Sequence, residues 1–208
     1  MHEVERAART GGTSSDAIYR LIAGTLARMG VGGRMYDIGC GTGALSTYLP
    51  DGRFEYLGVD LVRYDRYASG LQFVQLSLDQ PDWNLEPASA DVVVSVETIE
   101  HIENPRHHLR QMARLARPDG MVLVTTPNNL SWLSLMTLLR KGVFNAFQEG
   151  QGLYPSHITA LVETDLRRIF AEAGLVEIEI GFTNSGRIPF TSRHRPCPDP
   201  RYWCQSVT

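Results

Sequence analysis

Cysteine, lysine and long apolar runs are what this sequence has little of. Cys40, Cys197 and Cys204 are the only three cysteines among 208 residues, odd in number, widely spaced and without a CxxC pair. That excludes a disulfide framework and a thiolate zinc site, and it fits a reducing compartment. Lys141 is the sole lysine; 20 Lys and Arg side chains stand against 23 Asp and Glu for a formal net charge of -3. With no block of basic residues, the chain advertises neither a nucleic-acid backbone nor an anionic membrane as partner. No apolar run approaches the roughly 18 residues of a membrane span, and the opening MHEVERAART is charged where a signal peptide would be apolar. A soluble, cytoplasmic protein without integral membrane association is expected. Its length and 43% hydrophobic content suffice for one substantial core, so a single domain over residues 1–208 is the expectation.

Helix and strand patterns alternate along the chain without internal repeats. Ser14, Ser15 and Asp16 offer N-caps for a helix whose apolar positions Ile18, Leu21, Ile22, Leu26 and Met29 recur at helical spacing and which Gly30 closes. Strands are expected at 35–38, 56–59, 73–76, 91–96, 121–125 and 176–182, and clear helices at 106–116 and 164–173. Such alternation indicates an α/β fold, a doubly wound and mostly parallel Rossmann-like sheet with ligands at the carboxyl ends of its strands.

In that frame the stretch YDIGCGTGALS is the first strand-to-helix loop. Gly39, Gly41 and Gly43 permit positive φ and let backbone N–H groups come close to a ligand. Asp37, two residues ahead of Gly39, would repel a pyrophosphate and attract a ligand bearing an ammonium or sulfonium cation. This favours S-adenosylmethionine over NAD. Asp60 ends the next strand about 20 residues on, where an acid accepts hydrogen bonds from ribose hydroxyls. Asp79 follows the third strand, within reach of an adenine amino group or as a turn residue before Gln80 and Pro81.

With DIGCGTG, GVDL and PDGMVLVTTPN in place, the chain resembles the class I S-adenosylmethionine-dependent methyltransferases over about residues 19–182. The resemblance implies Asp37, Gly39, Gly41 and Gly43 around the methionyl end of the cofactor, Asp60 on the ribose, Asp79 near adenine and Glu97 under the cofactor.

A second stretch, SVETIEHIENP, ends the fourth strand. A helical turn there would set Glu97, Glu100 and His101 on one face. His101 has three open roles: general base toward an acceptor hydroxyl, structural residue bonded to loop backbone, or metal ligand. Glu97, Glu100 and His101, joined by His157 from YPSH, resemble the ExxEH plus distal His of magnesium-dependent RNA 3′-terminal 2′-O-methyltransferases of the Hen1 type; many small-molecule and glycan methyltransferases share an EHxxxP-like stretch. A single lysine and an acidic balance place nucleic acid behind a small-molecule or glycan acceptor. O-methyl transfer with His101 and His157 as catalytic residues and no required metal ion is the leading expectation. The alternatives are metal-dependent RNA 2′-O-methylation and a non-catalytic nucleotide-binding module. Two further features are expected: a helical cap insertion at about 129–158, rich in Leu, Trp and Phe, and an irregular tail at about 183–208. The cap's apolar helix has three possible places: under the sheet rim, against substrate, or on a membrane surface. In the tail, only 187–191 offers a short apolar piece where the resemblance implies a last antiparallel strand.

Overall fold

Val92, Val93 and Val94 follow one another in ADVVVSV, and all three are fully buried. Consecutive β-branched residues without polar alternation mark a strand covered on both faces. The computed structural model describes residues 3–150 and 153–182, and the backbone alone of 184–186, 197–199 and 202–204. In chain order it has α1 (Glu3–Arg9), α2 (Asp16–Arg28), β1 (Gly33–Ile38), β2 (Phe54–Asp60), β3 (Gln72–Gln75), β4 (Ala90–Val96), α3 (Pro105–Leu115), β5 (Ala116–Thr126), α4 (Trp132–Lys141) and α5 (Glu163–Glu172). Three short strands follow: β6 (Asn184–Gly186), β7 (Cys197–Asp199) and β8 (Tyr202–Cys204).

The main sheet runs β3-β2-β1-β4-β5-β8. Its first five strands are parallel, which confirms the α/β expectation. The strand period of two divides the side chains between two cores. Val92, Val94 and Val96 of β4 and Met121 and Leu123 of β5 meet Ile18, Ile22 and Leu26 of α2 on one face. Val93, Val122 and Val124 meet Leu109, Met112 and Leu115 of α3 and Leu166, Ile169 and Phe170 of α5 on the other. Asn104 starts α3 by accepting the His107 N–H at 3.0 Å, with Pro105 in the first helical position. Strand order reverses between β1 and β4, so a crevice opens at their carboxyl ends.

Several expectations need correction. Residues 176–182 form no strand: Glu177 sits at φ 52°, which breaks an extended backbone, and Ile178 and Ile180 pack onto the core from an irregular segment. The β1–β2, β2–β3 and β3–β4 connections carry no α-helix; the first has only a 3₁₀ turn at Ala44–Tyr48. The edge beside β5 is occupied, because β8 pairs antiparallel with it, Val124 opposite Cys204 and Thr126 opposite Tyr202. The short apolar piece 187–191 lies outside the described residues. α4 is not sunk under the sheet rim: Trp132, Leu133 and Met136 are exposed and Leu139 is 82% exposed.

Candidate active site

The crevice holds a cavity of about 350 Å³, within the usual range for small-molecule sites. β1 delivers Asp37 into it and then turns through the glycine loop. Gly39 has φ 76° and Gly41 φ 54°, both in the left-handed region that glycine occupies without strain. A Cβ on Gly39 would overlap the Thr98 side chain at the end of β4. At Gly41 the close neighbour is the chain itself, since a Cβ would lie 2.6 Å from the carbonyl carbon of Gly12. The Thr42 N–H donates to that same Gly12 carbonyl at 2.8 Å. Gly43 stands off the cavity, where its Cβ would come 3.0 Å from the Tyr67 ring.

Asp37 is 1% exposed and accepts a hydrogen bond from the Tyr56 hydroxyl on Oδ2, while Oδ1 has no partner. Burial pushes its carboxyl up to about 7, against the Tyr56 bond that lowers it. Asp60, at the end of β2, accepts the Gly41 N–H at 2.8 Å and the Val62 N–H at 3.0 Å. It therefore shapes the glycine loop, and burial raises its pKa as well. Asp79 also lines the cavity and accepts the Glu103 N–H at 3.0 Å, tying the third strand's exit to the segment before α3. Among the described residues, six carboxyl groups, those of Glu3, Asp37, Asp60, Asp79, Glu97 and Glu100, line the cavity with a single guanidinium, Arg6.

At the end of β4 the expected helical turn is shorter than its spacing implied. Glu97 has φ 50° and lies before the 3₁₀ turn Ile99–His101; its N–H donates to the Thr125 carbonyl at 3.1 Å. Glu97 lines the cavity with Glu100 and His101 but is not in the group whose donor atoms lie within 4.8 Å of one another. His157 takes its place. The Glu100 carbonyl accepts the N–H groups of Ile158 at 2.9 Å and Thr159 at 3.0 Å, and Thr159 Oγ1 donates to the Ile102 carbonyl at 2.6 Å. These bonds clamp the returning segment onto the turn and bring the His101 and His157 rings to 4.7 Å, edge to face. His101 Nδ1 donates to the Ser156 carbonyl at 2.9 Å and His157 Nδ1 to the Ala146 carbonyl at 2.7 Å. Burial lowers both imidazoles, His157 to about 4.

The sequence reading missed the wall formed by α1 and residues 10–14. Tyr64 donates to the Ala7 carbonyl at 2.8 Å, Ser77 Oγ to Glu3 at 2.7 Å, and Arg6 pairs with Glu103 at 3.2 Å. α1 buries none of its side chains, so it has no apolar periodicity to betray it; clustered charge is its one signal. Cys40 is buried, with its thiol pushed up by burial, and fills space beside the loop. Tyr19 lines the cavity and accepts the Ser14 N–H at 2.8 Å, whereas Tyr154 is exposed and Asn128 caps a turn by accepting the Leu130 N–H.

A family model described as a methyltransferase domain matches residues 14–180. The chain belongs to the class I S-adenosylmethionine-dependent methyltransferases. It is 35% identical over 105 residues to a ubiquinone biosynthesis O-methyltransferase of Azoarcus sp. (strain BH72), covering 47% of this chain and 45% of that one. The match thus spans about half of that relative's length. Among solved structures, a possible histamine N-methyltransferase from Thermotoga maritima superposes with a TM-score of 0.64 at 16% identity, over 92% of this chain and 88% of that one. The 1,6-didemethyltoxoflavin-N1-methyltransferase of Burkholderia thailandensis, solved with S-adenosylhomocysteine, gives 0.60 at 16% identity over 93% and 79%. At those identities the structures establish the methyltransferase fold. Family membership brings S-adenosylmethionine as the cofactor. Among the described residues no helix is long and apolar enough to cross a membrane.

Proposed function

We propose that this methyltransferase moves the methyl group of S-adenosylmethionine to a hydroxyl oxygen of a small-molecule or sugar acceptor, in the cytoplasm. The observation that carries the reading is the acidic lining of the cavity: among the described residues six carboxyl groups stand against one guanidinium, and one Asp37 oxygen has no hydrogen-bond partner. A sulfonium and an α-ammonium suit that lining, and a pyrophosphate or an RNA phosphate does not. In this reading Asp37 meets the methionyl end, and Gly39 and Gly41 offer backbone beside it. Gly43 supports the loop from behind. Asp60 takes the ribose hydroxyls on its remaining lone pairs, Asp79 lies near adenine and Glu97 sits under the cofactor. His101 and His157 attend the acceptor oxygen.

Transfer forms an oxygen–carbon bond and breaks the carbon–sulfur bond, whose electron pair stays on sulfur to give S-adenosylhomocysteine. The hydroxyl proton must leave. Aligning oxygen, methyl and sulfur can supply roughly 7–11 kcal/mol, which is why the cleft needs shape and charge more than a covalent partner. The Azoarcus relative is named for O-methylation, and lone-pair nitrogens at the acceptor end fit a proton-bearing oxygen nucleophile.

Calorimetry with S-adenosylmethionine, S-adenosylhomocysteine and NAD, followed by transfer of a labelled methyl group to phenols, quinols and sugars, tests the reading. Binding of the first two in the micromolar range, little binding of NAD, and label on oxygen are expected. Tighter binding of NAD than of S-adenosylmethionine would overturn it. Cofactor binding with no transfer to any hydroxyl would favour a non-catalytic binding module.

A further inference from the structure

We propose that Arg6 recognises a carboxylate on the acceptor, so that the molecule methylated here is a hydroxy acid whose hydroxyl lies at His101 and His157. The inference deepens the O-methyl transfer reading and rests on it: that reading supplies the hydroxyl, and Arg6 supplies the class of molecule that carries it.

α1 is a helix with no core to pack into. None of its side chains is buried, yet Glu3, Arg6 and Ala7 line the cavity, and their spacing of i, i+3 and i+4 puts them on one helix face. A helix that turns such a stripe inward meets a ligand there. Within the stripe Arg6 is the basic group, its side chain 17% exposed against 65% for its partner Glu103. Their contact, at 3.2 Å, uses Nη2 alone, whereas a guanidinium has five N–H donors in a fork that grips a carboxylate through two bonds. An ion pair whose acid stands in solvent is weak, so Glu103 gives up Arg6, or shares it, at little cost. Ser156 fixes where that donor lies. Its hydroxyl donates to the Arg6 carbonyl at 3.3 Å and its own carbonyl accepts the His101 Nδ1 hydrogen at 2.9 Å. One buried residue thus ties the helix turn carrying Arg6 to the imidazole at the acceptor end. The charge of Arg6 is felt there: after burial, and against the Ser156 bond, it is among the causes that lower the His101 imidazole.

Charge balance selects the class of acceptor. Six carboxyl groups repel an anion wherever no cation stands beside it, and among the described residues Arg6 is the one guanidinium on the cavity wall. A single carboxylate matches it. A phosphate dianion would leave surplus negative charge among acids, and an uncharged acceptor would leave a half-desolvated guanidinium with four idle donors. The cofactor's own α-carboxylate lies at the methionyl end in the placement proposed above, beside the glycine loop. Arg6 therefore acts on the acceptor as a specificity residue: it holds the acid group and so fixes where the hydroxyl of the same molecule can reach. The transfer step is unchanged, with the oxygen–carbon bond forming as the carbon–sulfur bond breaks.

The test uses the whole protein saturated with S-adenosylhomocysteine and titrated by calorimetry with two matched pairs of probes, dihydroxybenzoate against dihydroxybenzamide and glucuronate against glucuronamide. In at least one pair the acid should bind at least about tenfold more tightly than the amide, as a charged two-bond contact requires. Arg6→Gln should bring acid and amide within about threefold of each other and hold S-adenosylhomocysteine affinity within about threefold, because it changes a side chain outside the core. Glu103→Gln separates recognition from a structural ion pair. It frees Arg6, so the acid should bind as tightly as before or more tightly; loss of the acid preference in this variant as well as in Arg6→Gln would make the pair structural and overturn the inference. So would an acid no tighter than its amide in both pairs, or a preference that survives Arg6→Gln. A fall of more than about tenfold in S-adenosylhomocysteine affinity in Arg6→Gln would put the guanidinium on the cofactor's carboxylate and overturn it too. Each of these results leaves the methyltransferase reading intact, whereas a wild-type protein that binds no S-adenosylhomocysteine overturns that reading itself.

Discussion

With Asp37 at the cationic end of the cofactor, as proposed, cofactor affinity should depend on pH. The Asp37 carboxyl is buried, has one oxygen without a partner and is raised to about 7, so near neutrality about half of it carries a proton. Only the ionised form attracts a sulfonium or ammonium. With a pKa of about 7, the ionised fraction is about nine-tenths at pH 8 and about one-eleventh at pH 6, so affinity should fall about tenfold between them, about 1.4 kcal/mol. Asp37→Asn should flatten that dependence and weaken binding at pH 8 by about 1.5–3 kcal/mol, the worth of a charged hydrogen bond. Tyr56→Phe gives a sign check: the Tyr56 bond lowers the Asp37 pKa, so its removal should move the step to higher pH. Without ligand the direction reverses. The folded pKa lies above the value of about 3.9 in an unfolded chain, so the stability contribution of this group is complete below that value and is lost as pH rises through about 7. Calorimetry with S-adenosylhomocysteine at pH 6, 7 and 8 measures the first effect. Affinity independent of pH in the wild type, or an Asn variant with the same tenfold step, would refute the assignment of Asp37 to the cationic end of the cofactor.

Two further outcomes follow from buried geometry. Gly41→Ala should lower thermal stability together with cofactor affinity, because its Cβ meets the Gly12 carbonyl and its φ is left-handed; the backbone term alone is about 1–2 kcal/mol, and lost affinity at unchanged melting temperature would count against the contact. His108 is fully buried, bonded through Nε2 to Ser95 at 3.1 Å, and lowered to about 3 by burial. Since its folded pKa lies below the unfolded value of about 6.5, its neutral form is stable above pH 6.5 and stability is lost as pH falls toward 3, by about 2 kcal/mol at pH 5. His108→Gln should remove that slope in urea unfolding at pH 5 and 7, and equal slopes in both proteins would contradict it.

How much of this was legible depends on the range of the determining contacts. β4 and the second half of β5 could be read because a strand buried on both faces writes itself as an apolar run, VVV in one and MVLV in the other, and the ligand end of the sheet follows from parallel order. Residues 176–182 look like a strand by composition, yet Ile178 and Ile180 reach the core from a backbone that Glu177 turns aside. The β8 edge was hidden for the opposite reason. YWC is three residues long and sits among prolines, and its pairing with Val124–Thr126 joins segments some eighty positions apart in sequence, a separation that local pattern does not register.

The carboxylate–imidazole cluster shows the same limit at atomic scale. Spacing alone put Glu97, Glu100 and His101 on one helical face, since i, i+3 and i+4 meet only when the turn is α-helical. Here Glu97 takes a left-handed φ and the turn is 3₁₀, a geometry that redirects one carboxylate and leaves a vacancy that a distant histidine fills. What brings His157 there is the carbonyl of Glu100, accepting two N–H groups from 158 and 159, a backbone contact no side-chain pattern encodes. The chemistry of the site follows from a further such contact. Whether an imidazole offers a lone pair or a proton to the cavity is decided on its other nitrogen, and for both His101 and His157 a main-chain carbonyl makes that decision.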